Sequence, residues 1–226
     1  MIGLLVELLA SWLLLRFVYH SSIDAIGVFV TTKRMQYFVT GFGIAAICCG
    51  ICHSAPVLFG VAGWQVNKSF TFSGFLAGIY FVVKSVLFEE LLFRGALLFI
   101  LTEKCGWKIA CSISAVAFGI YHWFSYGVLG NVFAMAMVFF TTAVWGWMLA
   151  FAFAKTRSVY LPVGLHLGWN IIHIVVFSKG PLGIQLLQHA GSGKLQGVPS
   201  LLIFLFQIFS VPVAVYYYLK YERKAA

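Results

Sequence analysis

A chain of 226 residues that is 62% hydrophobic and only 9% charged, with a mean hydropathy of +0.98, is not a soluble globular protein, in which about 25% of residues are charged. Its net charge of +9 would suggest nucleic acid in a soluble protein. Here the basic residues lie mostly between apolar runs, where membrane orientation accounts for them, so the bilayer and not nucleic acid is the expected partner.

Seven apolar runs are predicted to be spans, at about 2–19, 37–60, 70–101, 108–124, 128–153, 158–177 and 199–219. Each approaches the roughly 20 residues that a 30 Å hydrocarbon core requires. The first lacks a basic leader and a small-residue cleavage site, so it is read as a retained helix. The third, at about 32 residues, must tilt, bend or protrude. With seven spans, Lys33, Arg34, Lys104, Lys108, Lys155, Arg157, Lys220, Arg223 and Lys224 fall on one side. Lys68, Lys179 and Lys194 fall on the other. Dividing the third run makes eight spans and weakens this bias, so seven is preferred, with the N-terminus outside and the C-terminus cytoplasmic. The expected fold is an all-α polytopic bundle, a single integral-membrane domain over 1–226.

The second run carries Cys48, Cys49 and Cys52 beside His53. Buried thiols are the simpler reading, since no second group of ligands stands at metal-site spacing. Lys84 and His173 receive no role.

The third run holds the unusual stretch, Glu89-Glu90-Leu91-Leu92-Phe93-Arg94. A carboxylate at the centre of a membrane helix costs about 2.5–3.5 kcal/mol even on lenient scales, and such residues mark function by default. Glu90 and Arg94 are four apart and can pair on one helix face. Glu89, about 100° around the helix, is left without that partner. This separates a general base, Glu89, from a structural ion pair, Glu90 with Arg94.

The fourth run ends in Phe118-Gly119-Ile120-Tyr121-His122, and the sixth carries His166 and Asn170 four apart, with His173 a turn further on. Taken singly, each is more simply an interhelical hydrogen-bonding residue. Depth changes that. At 1.5 Å per residue, Glu89, His122, His166 and Asn170 all lie roughly 12–21 Å from the cytoplasmic ends of their runs. Such a layer suits hydrolysis by water held between Glu89 and His122, with His166 and Asn170 donating to the oxyanion. A zinc ion on Glu89, His122 and His166 is the competing account, and spacing does not choose between them. A non-catalytic scaffold or sensor of the same fold, and an ion-coupled transporter, are the alternatives to an enzyme. There is no H-E-x-x-H helix, no G-x-S-G serine motif, and Asp24 is the only aspartate.

Glu89-Glu90-x-x-x-Arg94-Gly95, Phe118-x-x-x-His122 and His166-x-x-x-Asn170, in that order, resemble the CPBP family of CAAX-prenyl proteases and bacteriocin-processing enzymes, also called Abi. The resemblance covers about 70–177. It implies a glutamate-dependent intramembrane endopeptidase in which Glu89 and His122 activate water and His166 with Asn170 hold the oxyanion. The family has also been labelled metallo-. The metal-free form is preferred because an ion-paired Glu90 is a poor ligand, so no cofactor is expected. The implied partner is a membrane-associated protein or peptide, such as a CAAX-type tail, a sorting tail or a leader peptide. The short chain without soluble domains suggests a prokaryotic cytoplasmic membrane.

Overall fold

The computed structural model describes residues 2–177, 185–190 and 193–225. Lys179, one of the orientation residues, lies outside them. Helix α1 (Ile2–Leu13) runs on as a π-helical turn, Leu14–Val18, and a single 3-10 turn, Ile23–Ile26, leads to α2 (Thr32–Leu58). Strand β1 (Gly63–Val66) precedes α3 (Phe72–Arg94), α4 (Ala96–Cys105), α5 (Trp107–Ser125) and α6 (Val132–Thr156). Then α7 (Tyr160–Asn170) continues into a π-helical stretch, Ile171–Phe177, followed by β2 (Leu187–Ala190) and α8 (Gly197–Ala225). Helix starts follow capping chemistry: Thr31, Thr71 and Asn131 accept from the backbone N–H of Arg34, Gly74 and Ala134. Four helices are long and apolar enough to cross a membrane, Thr32–Leu58, Val132–Thr156, Tyr160–Phe177 and Gly197–Glu222. The chain is an all-α integral membrane protein, with one small addition. Strands β1 and β2 pair antiparallel, Gly63 opposite Ala190 and Val66 opposite Leu187, joining the α2–α3 connection to the one before α8.

The over-long third run resolves into two helices. They part at Gly95, where a Cβ would collide with the carbonyl oxygen of Leu91. The break removes helical partners from the last carbonyls of α3, and Ser114 of α5 donates to one of them, Phe93 O, at 3.2 Å. By length α3 covers about 35 Å and α4 only about 15 Å.

Charged pairs gather at one end of the bundle. Arg34 Nη1 lies 2.6 Å from Asp24 Oδ1, Lys33 pairs with Glu222, and Arg157 pairs with Glu103. The Arg34 guanidinium hydrogen-bonded to Asp24 holds that carboxyl below the usual carboxylate range. The β1–β2 sheet lies at the other end of α2. These three pairs lie at helix ends or in connections, as expected where the middle is hydrocarbon.

Helices α2 and α7 approach backbone to backbone, and glycine allows it. A Cβ on Gly164 or Gly168 would collide with the carbonyl oxygens of Phe38 and Phe42, and one on Gly41 would stand 2.9 Å from Leu161 O. Gly164-x-x-x-Gly168 is the small-residue spacing that lets membrane helices touch backbone to backbone. This contact sets the position of His166, which lies between the two glycines. Gly168→Val is expected to cost about 1–3 kcal/mol by forcing the helices apart, read as a lowered melting midpoint in detergent. Gly43→Ala and Gly50→Ala, where a Cβ meets nothing within 4 Å, serve as controls. Equal melting of Gly168→Val and the controls would contradict a glycine-dependent contact.

Candidate active site

Three helices bring their polar residues to one place. Glu90 and Arg94, one turn apart on α3, are wholly buried, with Arg94 Nη1 3.2 Å from Glu90 Oε1. The other arm of the guanidinium, Nη2, donates to Gly146 O of α6 at 3.3 Å. Its Cζ lies 4.2 Å from the centroid of the Phe118 ring, within cation–π range. Gly146 permits this, since a Cβ there would stand 3.0 Å from Phe118. Arg94 thus ties α3 to α5 and α6.

His166 reaches the same carboxylate from α7, its Nδ1 2.7 Å from Glu90 Oε1. Sequence spacing did not disclose this contact, which spans 76 residues. Glu89 points elsewhere. Its Oε2 is 3.9 Å from His122 Nε2 and 3.9 Å from His166 Nε2, too long for a hydrogen bond and of a length that invites an intervening water. His122 is fixed by its other nitrogen, 2.8 Å from Phe118 O. A carbonyl only accepts, so Nδ1 carries the hydrogen and neutral His122 presents a bare Nε2 toward Glu89. Glu89 Oε2 and Glu90 Oε2 are buried with no hydrogen-bond partner among the described residues.

Asn170, one turn beyond His166, lines a cavity of about 150 Å³ with His122, His166, Tyr126 and Gln207. A larger apolar cavity of about 460 Å³, walled by Leu4, Leu8, Leu87, Leu91 and Val163, reaches Glu90 from the side of α1. All six candidate residues therefore lie around one locus. His173 does not, because it turns toward α2 instead.

Glu89, His122 and His166 do not form a set of three donor atoms that all lie within 4.8 Å of one another. Among the described residues, one set of three donors lies mutually within 4.8 Å, and it is Cys49, His53 and His173. One residue escaped the sequence reading. Glu7, in the middle of α1, is a third carboxylate in an apolar helix, with both oxygens buried and unpartnered among the described residues. An acidic residue inside an apolar run was the available signal.

No curated protein and no solved structure matches the chain. Residues 69–172 match the family described as type II CAAX prenyl endopeptidase Rce1-like, a segment that contains Glu89, Glu90, Arg94, His122, His166 and Asn170. Over those residues the chain carries an Rce1-like domain of the CAAX-protease family.

Proposed function

We propose that the chain is an intramembrane endopeptidase that hydrolyses a peptide bond of a membrane-associated protein or peptide with water activated by Glu89 and His122. The observation that carries this reading is the pair of 3.9 Å gaps around Glu89 Oε2. A water there donates one hydrogen to the Glu89 carboxylate and the other to the bare Nε2 of His122. As Glu89 takes its proton, the water oxygen attacks the carbonyl carbon. The carbonyl oxygen becomes an oxyanion facing Asn170 and His166. On collapse, the C–N bond breaks and Glu89 passes its proton to the leaving amine, giving a carboxylate and a free N-terminus.

His166 fills its role under one condition. Its Nδ1 hydrogen goes to the Glu90 carboxylate, so Nε2 donates only when the ring is doubly protonated. Two carboxylates, Arg94 and an imidazolium sum to zero, which removes the cost of a net charge in this buried setting. Arg94 and Glu90 are positioning residues here. The apolar cavity suits the hydrophobic anchor of the substrate, and a CAAX-type tail is the substrate class that the family match favours.

The test is the chain reconstituted in vesicles with membrane-anchored peptides. Wild type should yield fragments with a new carboxylate and a new amine. Asn170→Ala should lower kcat by about 10²–10³-fold with little change in KM, as for loss of an oxyanion donor. An Asn170→Ala effect confined to KM would remove Asn170 from the oxyanion site. Peptides left intact by folded wild type across CAAX, sorting-tail and leader types would favour the scaffold reading.

A further inference from the structure

The same helix that carries His166 and Asn170 holds a second histidine that the reaction does not use. Helix α7 becomes π-helical directly after Asn170, and π segments are frequent at functional sites. The wider turn takes His173 away from the Glu89 locus and against α2, where its Nδ1 lies 2.8 Å from His53 Nε2. His53 stands one helical turn from Cys49, which is fully buried. One donor atom from each of Cys49, His53 and His173 lies within 4.8 Å of the other two.

From this convergence we infer a zinc site on Cys49, His53 and His173, separate from the catalytic cluster. The donor set is right for the ion: a thiolate and two imidazoles suit zinc, with Zn–S near 2.3 Å and Zn–N near 2.0–2.1 Å. Tetrahedral zinc holds its ligand atoms roughly 3.3–3.7 Å apart. The two histidine nitrogens need to open by about half an ångström from their hydrogen bond, within reach of side-chain rotation. Binding takes the proton from Cys49 Sγ to solvent and leaves both imidazoles neutral. A fourth position is left for water or another donor.

Cys49 is buried and the two histidines are half-buried, under aromatic cover. The Phe177 ring stacks on His53 at 4.9 Å and 9°, and Trp64 of β1 packs on Phe177 at 4.8 Å. The site joins α2 to the π-helical end of α7, beyond the glycine contact that already holds these helices together. Its bound ion would clamp the element that presents His166 and Asn170.

The experiment uses the full chain in detergent, stripped with chelator and titrated with ZnCl₂, with metal content and melting midpoint as readouts. Wild type should take up about one zinc per chain and melt higher. Cys49→Ser and His173→Gln should bind zinc about 100-fold or more weakly, since removing a ligand costs at least as much as removing a supporting contact, 10–100-fold. Glu89→Gln and His122→Gln should bind it as wild type does. Cobalt(II) gives a check that needs no variant, because folded wild type should show a thiolate-to-cobalt charge-transfer band. Absence of that band, or zinc lost on Glu89→Gln but kept on His173→Gln, would overturn the assignment.

Discussion

Glu89→Gln is expected to lower peptide hydrolysis by about 10²–10⁴-fold while the chain stays folded, equivalent to about 3–5 kcal/mol in the barrier. The amide keeps the shape of the carboxylate and removes its basicity. Folding should tolerate it because Glu89 is held by no close ion pair: its carboxylate stands 3.9 Å from the two imidazoles. The measurement compares membrane proteomes of cells carrying wild type and Glu89→Gln at equal levels. C-terminal or leader fragments that depend on Glu89 would identify the substrate as well as the activity. Identical peptide patterns from two folded proteins would return the polar cluster to a packing or transport role.

Arg94→Ala has the opposite signature. Removing one partner of a buried pair leaves the other charge uncompensated, at a cost of about 3–5 kcal/mol. Arg94 is fully buried, and its guanidinium meets Glu90, Gly146 O and the Phe118 ring. The folded yield in detergent should therefore collapse in Arg94→Ala but not in Glu89→Gln. The double variant Glu90→Gln, Arg94→Met should recover much of the yield, because it removes both charges of the pair and leaves neither buried without its partner. It should not recover activity, since His166 loses the carboxylate that orients it. Equal loss of yield from Arg94→Ala and Glu89→Gln would refute the division between a positioning pair and a base.

Much of the α3 chemistry was legible because it is local. Glu90 and Arg94 pair within one turn, and helical spacing alone separates Glu89 from them. The layer at common depth follows from counting residues along helices of fixed rise. What spacing could not supply was contact between distant segments. His166 is held by Glu90 across 76 residues, and His53 meets His173 across 120, which supplied the second ligand group that Cys49 and His53 lacked in sequence. The β1–β2 pairing likewise joins two loops with no periodicity of their own. Gly164-x-x-x-Gly168 and Glu7 carry signals readable in sequence, a small-residue spacing and an acidic residue in an apolar run. The Gly95 break was foreshadowed by a run too long for one membrane crossing.

The Glu90–His166 contact also bears on how the chain enters the bilayer. During insertion, a charged side chain at a helix centre costs about 2.5–3.5 kcal/mol, while each Leu, Ile, Phe or Val contributes about −0.3 to −0.6 kcal/mol. The thirteen such residues of α3 offset about 4–8 kcal/mol, against about 10–14 for Lys84, Glu89, Glu90 and Arg94 together. Even with Arg94 in place, α3 reaches the translocon before the imidazole that hydrogen-bonds Glu90 has been synthesised. Insertion of α3 is therefore coupled to arrival of α7, and a chain truncated before His166 should leave α3 only loosely committed to the membrane.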